Sequence, residues 1–173
     1  RLMFDNLRDD VLEVRIALSF NSTAGAQRNL NQEKASFDEV RTAASKKWKS
    51  WYDRYSVEDA EGMDYAGNIR ASLYHLAVQP NLMSDVDAPD RYMNFSLWDT
   101  FRAAHPLYTI LMPERVDAFV NSLLAEYDTR GYLPILSLFG RDTHCMIGHH
   151  SAPVIADAYL KGFRGFDAQR ALA

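Results

Sequence analysis

The chain has 173 residues, 47% of them hydrophobic, and a formal net charge of −4. That length allows one domain, or one domain and part of another, with enough apolar material for a core. The acidic balance, with a pI near 5.7, gives no support for nucleic acid or an anionic membrane as partner. No apolar run approaches the ~18 residues of a spanning helix. The single cysteine, Cys145, excludes a disulfide within the chain. Arg1–Asp10 lacks the apolar stretch of a signal peptide. Aromatic residues make up 12% of the chain, which suits both a core and a surface on which sugar rings stack.

Leu12, Val14, Ile16, Leu18 and Phe20 alternate with Glu13, Arg15, Ala17 and Ser19. Period two predicts a strand with one apolar face. It is the only convincing strand signal in the sequence. Leu2–Phe4 offers a partner of a few residues at best, and a lone strand satisfies neither its backbone nor its apolar face. The chain therefore reads as an excerpt from something larger.

Beyond Phe20 the period is helical. Ser22 or Thr23 caps a short helix running to about Glu33. Ser36 and Glu39 form an S-x-x-E capping box, and Val40, Ala44, Trp48, Trp51 and Tyr55 share a stripe on the helix that follows. Another helix is predicted from about Met63 to Val78, ended by Gln79-Pro80. Asn81–Asn94 reads as a loop rich in aspartate. Ser96 opens a helix that Pro106 breaks or kinks near His105. Pro113 starts the strongest helix, with Val116, Phe119, Val120, Leu123, Leu124 and Tyr127 inward and Gly131 as its stop. Tyr132–Phe139 is apolar and extended. Ser151 caps a helix stopped at Gly162, and Phe166–Leu172 begins one more. Helices joined by polar loops suggest a helical toroid or bundle.

The loop from Leu138 into the Ser151 helix concentrates reactive side chains. Asp142 is a candidate proton donor, the kind of acid that glycosidic cleavage requires because a sugar alkoxide leaves poorly. It is equally a turn-capping residue or a partner of Arg141. Cys145 and His149 are four apart and would share a face in a helix, a spacing that can chelate zinc. A structural cysteine and hydrogen-bonded histidines account for the same pattern. Asp85, Asp87 and Asp90 are oxygen donors that suit calcium or sugar hydroxyls, without the spacing of an EF-hand. Trp98 and Asp99 pair a stacking ring with a carboxylate, although S-x-x-D is also a capping signature. Serine-hydrolase, Walker and dinucleotide fingerprints are absent.

Two stretches, FSLWDTFRAAHPLYTILMPERV and LPILSLFGRDTHCMIGHHSAPVIADAYLKGF, resemble glycoside hydrolase family 92, the calcium-dependent exo-acting α-mannosidases. SDVD at Ser84–Asp87, LYH at Leu73–His75 and ALSFNSTAGAQRNL fit the same pattern. The resemblance implies a mainly α chain: part of an (α/α)6 barrel preceded by the last strand of an N-terminal β-sandwich. It places the end of the sandwich in residues 1–21, a helical linker in 22–60 and the first part of the barrel in 61–173. It implies inverting, calcium-assisted hydrolysis of terminal α-mannosyl linkages by a larger, extracellular or periplasmic enzyme acting on mannose-containing glycans. Asp142 takes the general-acid position. Trp98, Asp99, Asp85, Asp87 and His149 become candidate sugar contacts. The calcium ligands are expected outside this chain.

Three departures bear on function. The family's acid is usually glutamate, and Asp142 is one methylene shorter, which withdraws the carboxyl by ~1.5 Å when proton transfer needs ~2.6–3.2 Å between heavy atoms. The family's base carboxylates lie downstream of the residues present, so this chain alone is not expected to catalyse. Only Ala88–Asn94 separate SDVD from FSLWDT, where the family has a longer loop. A non-catalytic or weakened glycan-binding relative of the same fold is the alternative reading, and a helical interaction domain a more distant one.

Overall fold

The computed structural model describes residues 11–59 and 64–172. The chain divides into two compact units, Arg1–Val57 and Glu58–Ala173. The first contains helices α1 (Thr23–Gln32) and α2 (Phe37–Tyr52). Their starts follow local chemistry. Ser22 accepts a hydrogen bond from the Gly25 N–H, and Ser36 and Glu39 complete the capping box.

The strand expected over Leu12–Phe20 is not formed. The segment has no ladder, and Val14, Ile16 and Leu18 are exposed, Ile16 to 81%. Its alternation marks a face that needs a neighbouring strand, and local sequence cannot supply one. The suggested partner, Leu2–Phe4, lies outside the described residues. The aromatic stripe of α2 is half-buried at Trp48 and Trp51, and no residue of that helix is fully buried. Trp48 and Tyr52 stack on each other, ring centroids 5.9 Å apart, and Trp51 meets Tyr55 edge-on.

The second unit is mainly helical with short strands. Helix α3 (Tyr65–Val78) leads into β1 (Asn81–Leu82) and β2 (Tyr92–Met93), followed by β3 (Phe95–Ser96). Then come α4 (Leu97–Thr100), α5 (Ala104–Leu111) and α6 (Pro113–Arg130), strands β4 (Leu136–Leu138) and β5 (Arg141–Asp142), and helices α7 (Ser151–Leu160) and α8 (Ala168–Leu172). β1 and β2 form an antiparallel pair, and β3–β4–β5 an antiparallel sheet. Within the described residues every strand is therefore in this unit. Strands of two or three residues are too short for period two to register, which is why the sequence pattern passes over them. Pro106 does not break a helix. It lies in the first turn of α5, where its missing N–H costs nothing, and the interruption falls just before it.

Helix α6 is the post around which the unit packs. Pro113 occupies its first position and Gly131, at φ 80°, its left-handed C-terminal cap. Its inner face buries Val116, Phe119, Val120, Leu123 and Leu124. Phe119 is the hub of an aromatic cluster. Its ring centroid lies 4.7 Å from Tyr92, 5.4 Å from Tyr108, 6.3 Å from Phe95 and 6.4 Å from His105. Tyr108 Oη donates to the Gln79 carbonyl at 2.9 Å, tying the end of α3 to this core. Farther along, the Asp117 carboxylate accepts from the Gly165 N–H, and Asn121 donates to the Gly165 carbonyl. No helix among the described residues is long and apolar enough to cross a membrane.

His105 is 6% exposed within this cluster, and neither ring nitrogen has a hydrogen-bond partner of normal geometry. Burial pushes its pKa down from 6.5 to about 4, against smaller opposing effects of the Thr100 backbone and the Asp157 carboxylate. Because the folded value is the lower one, the unfolded chain binds the proton more readily. The neutral ring's contribution is complete above pH 6.5 and is lost progressively as the pH falls toward 4. The full loss is ~3 kcal/mol. Urea unfolding between pH 7 and 4 is expected to show this decline, and His105→Phe to flatten that part of it. An unchanged slope in the variant contradicts the assignment.

Candidate active site

The three-stranded sheet decides where Asp142 points. Phe95 pairs with Ser137, and Ser137 with Asp142. Directly opposed residues project to one face of a sheet. Phe95, Ser137 and Asp142 therefore all face inward toward α6, and all three are buried. Leu138 and Arg141 form the next pair, face the other way and are exposed. The Asp142 side chain is 0% exposed. Its Oδ1 accepts a hydrogen bond from the Leu136 N–H at 3.1 Å. Its Oδ2 has no hydrogen-bond partner, and His144 Nδ1 stands 3.6 Å away, within ion-pair reach when that ring is protonated.

The turn between β4 and β5 is Phe139-Gly140, with φ of 50° and 76°. Both central residues are left-handed, as a tight turn matched to the strand twist requires. His144 (φ 52°) and Met146 (φ 74°) continue in that region. Non-glycine residues held there store strain, which concentrates at functional loops. The strain also removes the helical geometry that zinc chelation by Cys145 and His149 assumed. Residues 143–149 form no helix.

The other candidates lie on nearby elements. β3 continues directly into α4, so Trp98 and Asp99 follow the strand that pairs with β4. Trp98 is 37% exposed, with the Arg102 guanidinium 5.5 Å from its ring centroid. Arg102 also lies 5.4 Å from Phe101, whose ring is 4.3 Å from His150. That contact joins α4 to the loop before α7. Ser96 does not cap the backbone, because its hydroxyl donates to Asp99 Oδ2 at 2.5 Å. His149 borders a cavity of about 370 Å³ with Tyr127, Tyr132, Ser151 and Arg170.

Asp85 and Asp87 belong to the loop of the β1–β2 hairpin. Ser84 folds that loop by donating to the Pro89 carbonyl at 2.7 Å and accepting from the Arg91 N–H at 2.6 Å. Asp85 is buried and Asp87 exposed. Among the described residues, no three of His, Cys, Asp and Glu converge as a metal ion requires. A larger cavity of about 500 Å³, lined by Ile155, Tyr159, Leu160, Phe166 and Leu172 among others, has no carboxylate and is ill-suited to a sugar.

The profile of the glycosyl hydrolase family 92 catalytic domain matches residues 25–173. The chain belongs to glycosyl hydrolase family 92. Among solved structures it is similar to a family 92 α-mannosidase from Bacteroides thetaiotaomicron, with 34% identity and a TM-score of 0.81 over 88% of this chain. That enzyme has also been solved with mannoimidazole, at the same identity and TM-score. An inverting family 92 mannosidase from the same organism matches 89% of the chain with 29% identity and a TM-score of 0.75. No curated protein sequence gives a significant match. The chain spans 22–23% of the length of these solved relatives.

One group in this family 92 chain escaped the reading of the sequence. Glu126 is 1% exposed, with its Oε1 accepting a hydrogen bond from Ser137 Oγ. Burial pushes its carboxyl above the usual range, with Ser137 and the Arg91 and Arg130 charges opposing and the Asp142 charge adding. The signal was available, since Glu126 lies three positions after Leu123 on the apolar stripe of α6. A glutamate on such a stripe is either misplaced or has a partner.

Proposed function

We propose that this chain is part of a longer enzyme that hydrolyses terminal α-mannosyl linkages in glycans with inversion of the anomeric centre. The observation that carries this reading is the shared fold, at 34% identity, with a family 92 α-mannosidase that has been solved with mannoimidazole. In this reading the helices of residues 61–173 belong to an (α/α)6 barrel that follows a β-sandwich. Asp142 protonates the leaving oxygen, and a carboxylate from elsewhere in the enzyme activates water on the opposite side of the sugar. Trp98 offers a ring face to the mannose, and Asp99, Asp85, Asp87 and His149 offer polar contacts. Calcium assistance rests on the family resemblance, with ligands outside this chain. An extracellular or periplasmic site of action is part of the same proposal.

The test is hydrolysis of an α-linked mannobiose by the full-length protein, with the product anomer followed by proton NMR. The β-anomer is expected to form first. The 173-residue chain alone is expected to show no turnover. First-formed α-anomer contradicts inversion, and turnover by the short chain contradicts the dependence on distant carboxylates.

A second reading is favoured by the inward-facing, 0% exposed Asp142 carboxyl. In it the protein is a weakened or non-catalytic glycan binder that keeps the family fold. Stabilisation by mannose in a full-length protein without mannosidase activity decides for it.

A further inference from the structure

Ser137 is fully buried and directly opposite Asp142, so the two side chains share the inner face of the sheet. The Ser137 hydroxyl donates across to Glu126 on α6. The hydroxyl directly opposite Asp142 in the sheet is thereby committed to another carboxylate. Asp142 keeps a single hydrogen bond, from the Leu136 N–H to Oδ1, and its Oδ2 has only the longer His144 Nδ1 contact at 3.6 Å. A second tie lies one turn away in the same hairpin. Arg130, on the last turn of α6, donates through Nη2 to the Gly140 carbonyl at 3.3 Å, two residues before Asp142.

Cohesion alone does not call for this arrangement. An apolar pair in place of a buried charge and hydroxyl is commonly as stable or more so. What the Glu126–Ser137 bond adds is direction. An apolar contact lets a short strand rotate or slip, whereas a hydrogen bond to an acceptor on a rigid helix fixes one geometry. With only two residues in β5 there is little ladder to do so otherwise.

We propose that Glu126 is a positioning residue which, through Ser137, fixes the strand that carries Asp142 and so sets where the Asp142 carboxyl lies. The inference rests on the reading of Asp142 as the leaving-group acid. Glu126 itself does not touch substrate.

The experiment compares two substrates in the full-length protein. An aryl α-mannoside with a strongly acidic phenol leaves without protonation, whereas an α-linked mannobiose needs it. Ser137→Ala is expected to lower kcat on mannobiose by about tenfold or more, with KM and the aryl rate unchanged within about twofold. Ser137→Cys, nearly isosteric and a weak donor, is expected to give the same split with packing conserved. Glu126→Gln keeps an acceptor facing Ser137 and is expected to retain most of the mannobiose rate. Equal losses on both substrates, or none on either, overturn the proposal, because a purely structural contact does not distinguish leaving groups. Absence of turnover in the unmodified protein defeats the mannosidase reading itself. Indifference of mannobiose turnover to Asp142→Asn defeats the acid role. A protein sensitive to Asp142→Asn but not to the Ser137 variants defeats only the role of Glu126.

Discussion

Asp142→Asn in the full-length protein is expected to lower mannobiose turnover by ~10²–10⁴-fold, the range of a positioned general acid. Asparagine keeps an oxygen that can accept from the Leu136 N–H, so the strand stays in place. What disappears is the transferable proton. The loss should be small on an aryl mannoside whose leaving group needs no proton. A uniform loss on both substrates contradicts the acid assignment. Asp142→Glu is the informative reverse change. The family usually has glutamate here, and the added methylene restores ~1.5 Å of reach. Yet the Asp142 side chain is fully buried on the inner face, with Ser137 beside it. A longer chain must displace that packing or turn outward. If aspartate limits the reaction, Asp142→Glu raises the mannobiose rate. A slower mannobiose reaction in that variant shows that reach is not the limitation.

Phe119→Ala is expected to cost ~3–5 kcal/mol of folding stability, the usual range for an aromatic removed from a packed core. Phe119 is 2% exposed and meets Tyr92, Phe95, His105 and Tyr108. Those residues belong to β2, β3 and α5, so one deletion loosens the packing of all three on α6. Phe119→Leu preserves most of the volume and is expected to cost far less than the alanine variant. Leu160, 83% exposed on α7, provides the comparison. Leu160→Ala is expected to stay within about 0.5 kcal/mol. Urea unfolding of the three variants measures the differences. A Phe119→Ala protein as stable as Leu160→Ala removes α6 from its place at the centre of the unit.

Much of this architecture is written locally. The caps at Ser22 and Ser36, the proline start and glycine stop of α6, and its apolar stripe depend on neighbours within a few residues. Each is therefore readable in order along the chain. The family pattern is readable too, because FSLWDT and the G-x-x-T-x-C-M-I-G loop keep their order and spacing. The Leu12–Phe20 alternation shows the opposite case. Its pattern is local, but the strand depends on a partner elsewhere. Residues 143–149 are a further case. Helical spacing of Cys145 and His149 meant nothing once left-handed residues at 144 and 146 had turned the chain.

For Asp142 the division is sharpest. The sequence by itself determined that an acid stands in that loop, one methylene shorter than the family's usual glutamate. Only the tertiary structure decided which way it faces. Ser137 pairs with Asp142, not with Arg141, and a slip of one residue would exchange their faces. That register is a relation between strands separated by a turn, anchored to a helix through Glu126. No local pattern encodes it, because the energy that selects it comes from burying Phe95 and the Ser137–Glu126 bond against α6.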